Sequence, residues 1–168
     1  MRTSAENNAG KPAAPSKRKG PIMNKLKILF LCTGNSCRSQ MAEGWTRTLK
    51  GERIEAFSAG VQIHGLNPHA VAVMADAGVD ISGQRSKHVN EFTGKDLDVI
   101  VTVCDHARES CPYFPASCKR IHAGFADPPS LAREIAAQGG DEAAQLDCYR
   151  KVRDEIRAFV EALPDNIK

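Results

Sequence analysis

The sequence predicts a single α/β domain built on a doubly wound, parallel, four-stranded sheet with helices on both faces. Two observations predict it. Stretches typical of strands alternate with amphipathic stretches typical of helices. The strands predicted over residues 27–31 and 97–103 are also apolar almost throughout, as in parallel strands that are covered on both faces.

The first half of the chain predicts two strand–helix pairs. A buried strand over residues 27–31 precedes a helix over 39–49, where apolar residues recur on one face. A second strand over 54–58 precedes a helix that begins at Asn67, an N-cap residue followed by a first-turn proline, and ends at Gly78.

The second half predicts a strand over 97–103, a short strand over 119–122 and an irregular stretch over 124–129. The last element is the plainest helix, because six apolar residues share one face: Tyr149, Val152, Ile156, Phe159, Val160 and Leu163. Active sites of doubly wound sheets lie beyond the carboxyl ends of the strands, so we expect the segments that follow strands to converge.

Composition separates a basic N-terminal tail from the domain. Residues 1–25 carry six basic residues and one acid, while the whole chain has a formal net charge of +3, so the domain itself is slightly acidic. Nothing therefore indicates a nucleic-acid-binding face. Residues 1–22 have too few large apolar side chains to fold, and are predicted to be a disordered tail before a domain over 23–168.

The sequence indicates a cytoplasmic protein. The tail lacks the apolar region of a secretory signal, and no apolar run approaches the roughly 18 residues of a membrane span. Six cysteines in such a chain are predicted to be reduced thiols. They form no CxxC pair, so we expect no metal site.

One run of residues carries the predicted chemistry. Cys32 opens the run CTGNSCR over 32–38, between the first predicted strand and the first helix. Small residues let successive backbone N–H groups turn inward as an anion-binding nest, and the helix adds its N-terminal partial charge. Arg38 offers a planar fork of donors to an oxyanion. The same field stabilises a thiolate, so Cys32 is predicted to be a nucleophile at neutral pH.

The residues after Cys32 form the predicted substrate-binding set: Thr33, Gly34, Asn35, Ser36, Cys37, Arg38 and Ser39. The Asn35 side chain is expected to hold the shape of the loop, and the Ser39 hydroxyl to support the Cys32 thiolate. Both residue types also favour helix starts, which is the alternative. The Cys37 side chain is expected to be structural.

Attack on a tetrahedral oxyanion must expel an oxygen, which requires a proton. Asp127, in the stretch GFADPP over 124–129, is the candidate proton donor. Pro128 and Pro129 are expected to stiffen this loop and to oppose a helix there. Asp-Pro is also a common turn element, so a purely structural role is the alternative.

Two further cysteines follow a strand. Cys104 comes directly after the strand over 97–103, which places it at the same sheet edge as Cys32, and Cys111 lies seven positions later. If the segment between them is helical, they lie about 10.5 Å apart along its axis. A disulfide needs Cα atoms within about 7 Å, so bridging them would require unwinding. A thiol that resolves the Cys32 adduct would pass electrons to the substrate, which arsenate accepts and phosphate does not.

Together these residues resemble the thioredoxin-coupled arsenate reductases, which share the fold of the low-molecular-weight tyrosine phosphatases and their phosphatase-type anion loop. The resemblance runs from about residue 25 to 163. It rests on CTGNSCRSQMAEGW over 32–45, SAG over 58–60, Cys104 and Cys111 with Pro112, HAGFADP over 122–128 and VRDEI over 152–156.

The resemblance implies reduction of arsenate to arsenite. Cys32 would attack arsenate, Asp127 would protonate the departing oxygen, and Cys104 would attack the adduct to release arsenite. Cys111 would then take over the disulfide as Cys104–Cys111, which thioredoxin reduces. We also expect a monomer with no bound cofactor, and phosphate as a weak competitor.

One subgroup of that family holds a potassium ion beside the loop. This chain matches the ligand pattern at Asn35, Glu43 and Ser58, but Lys87 stands where the pattern has an acid. We expect the Lys87 ammonium to replace the ion near Glu43 or Asn35. A solvated surface lysine is the alternative.

Two other interpretations stay open. A tyrosine phosphatase on the same fold would share the loop and the Asp-Pro pair, but such enzymes commonly continue with a tyrosine where this chain has Pro129. It would also leave the spacing of Cys104 and Cys111 unexplained. A redox-sensing or anion-sensing module would bind anions without turnover. Cys118 and Cys148 match no relay position and are expected to be bystanders, although Cys118 could pair with Cys111 off the pathway.

Overall fold

The structure is a computed structural model that describes residues 24–112, 114–115 and 117–168. Its elements, in chain order, are β1 (Leu26–Cys32), α1 (Arg38–Lys50), β2 (Ile54–Gly60), α2 (Pro68–Asp76), β3 (Val99–Thr102), α3 (Asp105–Glu109), β4 (Lys119–His122), α4 (Pro128–Ala137) and α5 (Glu142–Glu161). Single 3-10 turns lie at Val89–Phe92 and Asp165–Ile167. The predicted tail over 1–22 lies outside the described residues.

The four strands form one parallel sheet in the order β2-β1-β3-β4. The chain leaves β1 towards β2 on one side and later returns to β3 on the other side, so the strand order reverses between β1 and β3. Ligand sites of doubly wound sheets lie at such a reversal, outside the carboxyl ends of the strands. The predicted fold class is confirmed, and Cys32 ends the strand at the reversal.

Burial explains why these segments became strands and helices. Every residue of β3 is buried, and the last five residues of β1 are buried as well, which accounts for their continuous apolar sequence. Helix α5 packs against α1, α2 and α4. It does so through the apolar face predicted from its spacing, of which these side chains are buried: Tyr149, Val152, Ile156 and Val160.

The expectation that Pro128 and Pro129 oppose a helix is wrong. Both lie in the first turn of α4, and the Asp127 side chain caps that helix by accepting a hydrogen bond from the Ser130 N–H at 3.1 Å. A proline costs little there, because the first N–H groups of a helix have no partner within the helix. Asp127 is therefore held at a helix start rather than in an irregular loop.

The bounds of β3 and α5 also differ from those predicted. Strand β3 spans Val99–Thr102 rather than 97–103, although the Val103 N–H still bonds to the Leu31 carbonyl at 2.9 Å. Helix α5 begins at Glu142, where Asp141 caps it, well before the first predicted apolar position. Among the helices described, none has the length and apolar character needed to cross a membrane.

Candidate active site

The loop between β1 and α1 forms the floor of a cavity of about 370 Å³ at the carboxyl edge of the sheet. Its carbonyl groups bond to the segment that follows β2: Gln62 N–H to Thr33 at 2.8 Å and His64 N–H to Gly34 at 3.1 Å. Helix α2 adds a third anchor, because the Asn67 N–H bonds to the Ser36 carbonyl at 2.9 Å. These contacts hold the loop carbonyls towards the segment after β2, as an anion-binding nest requires.

Cys32 lines this cavity, and two polar groups contact its sulfur. Its Sγ accepts the Asn35 N–H at 3.2 Å and lies 2.8 Å from the Ser39 Oγ. The Asn35 Nδ2 donates to the same Ser39 Oγ at 2.8 Å, so the hydroxyl hydrogen of Ser39 is free to point at Cys32. The Asn35 N–H and the Ser39 hydroxyl therefore both lie within hydrogen-bonding distance of the Cys32 sulfur.

The Asn35 side chain fixes this arrangement. It is fully buried, and its backbone has φ of 46°, a left-handed conformation that asparagine tolerates better than most residues. Its Oδ1 accepts from the Lys87 N–H at 2.7 Å and from Gln40 Nε2 at 3.1 Å, which turns its Nδ2 towards Ser39. Loop shape and thiolate support therefore depend on the same amide.

Arg38 and Asp127 meet across the cavity from different elements. The Arg38 Nη2 lies 2.9 Å from Asp127 Oδ1, and its Nη1 donates to the Phe125 carbonyl at 2.9 Å. The second carboxylate oxygen of Asp127 caps α4. An oxyanion bound by the Arg38 fork would therefore have Asp127 Oδ1 beside it.

Cys104 reaches the loop and Cys111 does not. The Cys104 side chain is the N-cap of α3, where its Sγ accepts the Ala107 N–H at 3.4 Å. The same sulfur lies 3.4 Å from Thr33 Oγ1, the hydroxyl of the residue after Cys32. Helix α3 ends at Glu109, so Cys111 lies past its end rather than on its face. All six cysteines are free thiols.

Cys37 and Cys111 have raised pKa values. Burial raises the pKa of Cys37 well above its ordinary value, and the negative charge of Cys32 raises it further. Cys37 therefore stays protonated while Cys32 reacts. Burial also raises the pKa of Cys111, although the Arg120 guanidinium acts in the opposite direction.

A buried carboxylate, Glu43, lies behind the loop. Its Oε2 accepts the Ser58 hydroxyl and lies 3.3 Å from Lys87 Nζ, while Arg47 Nη2 lies 2.5 Å from its Oε1. The Lys87 ammonium also donates to the Arg85 carbonyl at 3.0 Å. The sequence predicts this ammonium near Glu43 or near Asn35, and the structure places it at Glu43.

Three cavity-wall residues, His64, Asn67 and Arg133, were not predicted from the sequence. His64 and Asn67 follow β2, and a search of every segment after a strand would have found them. Arg133 lies on α4, which was not predicted. In the part of the chain that the structure describes, no group of three or more His, Cys, Asp or Glu side chains is arranged to hold a metal ion.

The chain is similar in sequence and in fold to known proteins. The family described as Low molecular weight phosphotyrosine protein phosphatase matches residues 27–168. An arsenate reductase of Halalkalibacterium halodurans is 46% identical over 134 residues, which cover 80% of this chain and 91% of that protein. An arsenate reductase of Bacillus subtilis is 46% identical over 133 residues, which cover 79% and 90%. A solved arsenate reductase in its oxidized state superposes with a TM-score of 0.67 at 31% identity, covering 84% of this chain and 98% of that one.

Replacing Ser39 with alanine tests the support of Cys32. Loss of a hydrogen bond to a charged sulfur costs about 1.5–3 kcal/mol, so we expect Ser39→Ala to slow alkylation of Cys32 by iodoacetamide about tenfold or more. The rate is followed at pH 6.5 by peptide mass spectrometry. Ser82→Ala, at an exposed serine, is the control and should react like wild type. Equal rates in both variants would mean that Ser39 does not donate to the sulfur.

Proposed function

The chain belongs to the low molecular weight phosphotyrosine protein phosphatase family, alongside its arsenate reductases, and we propose that it reduces arsenate to arsenite through a relay of three thiols. One observation carries the proposal: the buried Cys104 sulfur lies 3.4 Å from the Thr33 hydroxyl, beside the nucleophile. A phosphatase needs no second thiol there. A reductase needs one, because the electrons must come from sulfur.

In the first step the Cys32 thiolate attacks the arsenic of arsenate. The loop N–H groups and the Arg38 fork hold the other oxygens and stabilise the charge that develops on them. Asp127, which touches Arg38, gives a proton to the departing oxygen, which leaves as water. The product is a covalent adduct with a sulfur–arsenic bond to Cys32.

In the second step the Cys104 thiolate attacks the Cys32 sulfur. A Cys32–Cys104 disulfide forms, the sulfur–arsenic bond breaks, and its electron pair stays on arsenic, which becomes As(III). In the third step Cys111 attacks Cys104 and frees Cys32. Because α3 lies between Cys104 and Cys111, this step requires α3 to unwind. Thioredoxin then reduces the Cys104–Cys111 disulfide.

The Lys87 ammonium takes the place that potassium has in the subgroup described above. It contacts Glu43, and its backbone N–H holds Asn35, so one residue supplies both the positive charge and a bond to the loop. A covalently tethered cation requires no ion from solution. The proposed site therefore needs no potassium ion.

The relay predicts different defects for two cysteine variants. With thioredoxin, thioredoxin reductase and NADPH, Cys104→Ser and Cys111→Ser should lose turnover to below about one hundredth of wild type, since each removes a thiol that must exchange. Without thioredoxin, Cys111→Ser should still release arsenite once and stop as a Cys32–Cys104 disulfide. Cys148→Ser is the matched control and should turn over normally. Full turnover by Cys104→Ser and Cys111→Ser would contradict the relay. Turnover that glutathione and glutaredoxin support but thioredoxin does not would exclude thioredoxin as the donor.

The third step should depend on pH. The thiolate is the reactive form, and burial raises the pKa of Cys111, so its thiolate fraction at pH 7 is small. We expect formation of the Cys104–Cys111 disulfide to accelerate about tenfold from pH 7 to pH 8, as a thiol below its pKa does. Acid-quenched single turnovers and disulfide mapping give this rate. Arg120→Gln removes the positive charge that lowers the pKa of Cys111, so it should slow the step, whereas Arg108→Gln should not. A rate that does not depend on pH would show that ionisation of Cys111 does not limit the step.

Potassium should not affect the wild-type protein. We expect the KM for arsenate to stay constant when KCl replaces NaCl at fixed ionic strength, because Lys87 already neutralises Glu43. In Lys87→Asp, potassium should lower the KM. Lys95→Asp is the control, because Lys95 lines the same surface pocket as Lys87, and its KM should not change with potassium. A marked potassium-dependent decrease in the wild-type KM would contradict the role of Lys87.

A further inference from the structure

A chain of three polar groups joins the start of the anion loop, at Thr33, to the start of α3. The Cys104 Sγ lies 3.4 Å from Thr33 Oγ1, which in turn lies 3.3 Å from His106 Nδ1. A threonine hydroxyl has one hydrogen to donate and two lone pairs to accept with. It can therefore accept the Cys104 S–H and donate to His106 at the same time, with the imidazole hydrogen on Nε2.

We propose that His106 accepts the proton of the Cys104 thiol through the Thr33 hydroxyl, and so prepares Cys104 for its attack on the Cys32 adduct. The proposal rests on the function proposed above. His106 touches neither substrate nor the reacting sulfur atoms. It is a positioning residue that acts through Thr33.

The difference in exposure between Cys104 and His106 supports proton transfer from the thiol to the imidazole. Cys104 is only 6% exposed, so its proton has little direct access to water, whereas His106 is exposed and can exchange its proton with solvent. The Ala107 N–H already bonds to the Cys104 sulfur and would stabilise a thiolate once formed. What Cys104 needs in addition is a route by which its proton can leave.

The other ionisable groups nearby have different partners. The imidazole of His122 lies between Thr102 Oγ1 at 2.9 Å and Asp105 Oδ1 at 3.2 Å. Asp127 contacts Arg38 and caps α4. Over the described ranges, His106 is the ionisable side chain that hydrogen bonds through Thr33 connect to Cys104.

The step balances in protons and electrons. The Cys104 proton moves to the Thr33 oxygen as the Thr33 proton moves to His106 Nδ1, which leaves a Cys104 thiolate and an imidazolium. The thiolate forms a bond to the Cys32 sulfur, and the sulfur–arsenic bond breaks with its electron pair on arsenic. Two sulfurs are oxidised, As(V) becomes As(III), and the imidazolium returns its proton to solvent.

The test compares His106→Asn with Arg108→Asn in the full chain. Asparagine keeps an amide where Nδ1 lies, so it can still hydrogen bond to Thr33, but it cannot take a proton. The second variant places the same residue at an exposed position of the same short helix. Reduced protein is mixed with arsenate without thioredoxin, quenched in acid, and assayed for one equivalent of arsenite between pH 6 and pH 10.

We expect His106→Asn to release arsenite about a hundredfold more slowly than wild type at pH 7, as for loss of a general base. Its rate should rise with pH as hydroxide replaces the missing base, and added imidazole should accelerate it at pH 7. The neighbouring ionisable groups are present in both variants, so their titration cannot account for a difference: Cys32, Asp105, Glu109 and His122. Arg108→Asn should follow wild type.

The outcomes separate the two proposals. If wild type releases no arsenite, the proposed reductase function fails, and this inference fails with it. If wild type and His106→Asn release arsenite at the same rate and with the same pH profile, only the role of His106 is overturned. If His106→Ala is slow while His106→Asn is normal, His106 merely positions Thr33, and proton transfer is overturned.

Discussion

The candidate site depends on the buried amide of Asn35. The side-chain oxygen of Asn35 accepts the Lys87 N–H, and its side-chain N–H₂ group donates to the Ser39 hydroxyl. The backbone N–H of the same residue donates to the Cys32 sulfur. The left-handed backbone at this residue lets the loop curl around an anion. A change there would leave several buried polar groups without partners, each at a cost of about 1–3 kcal/mol. The shape of the loop and the hydrogen bonds around the Cys32 sulfur therefore both depend on Asn35.

The parallel sheet brings distant residues to this loop. Strand β1 lies between β2 and β3, so the segments that follow all three strands reach the same edge. One supplies the nucleophile and Arg38, one supplies anchors such as His64, and one supplies Cys104. A second thiol, that of Cys104, thereby lies beside an anion site of the phosphatase type. In the proposed function, this second thiol is what a reductase needs and a phosphatase does not.

Much of this arrangement could be predicted from local patterns. Continuous apolar runs predicted β1 and β3, and the small residues between Cys32 and Arg38 predicted the anion loop. The local pattern does not predict α4, because Pro128 and Pro129 oppose a helix at most positions, although proline is tolerated in a first turn. The contact between Thr33 and His106 joins residues 73 positions apart and depends on strand order and on the start of α3, which no local pattern specifies. Long-range polar contacts of this kind need the folded backbone.

In the proposed function, the electrons for the reduction come from this chain's own thiols. A direct measurement is the number of free thiols, together with arsenite, after reduced wild-type protein meets excess arsenate without any external reductant. We expect two of the six thiols to disappear per arsenite released and to map to Cys104 and Cys111, whereas phosphate should leave all six intact. Six free thiols after arsenate, or arsenite formed without loss of thiols, would contradict it.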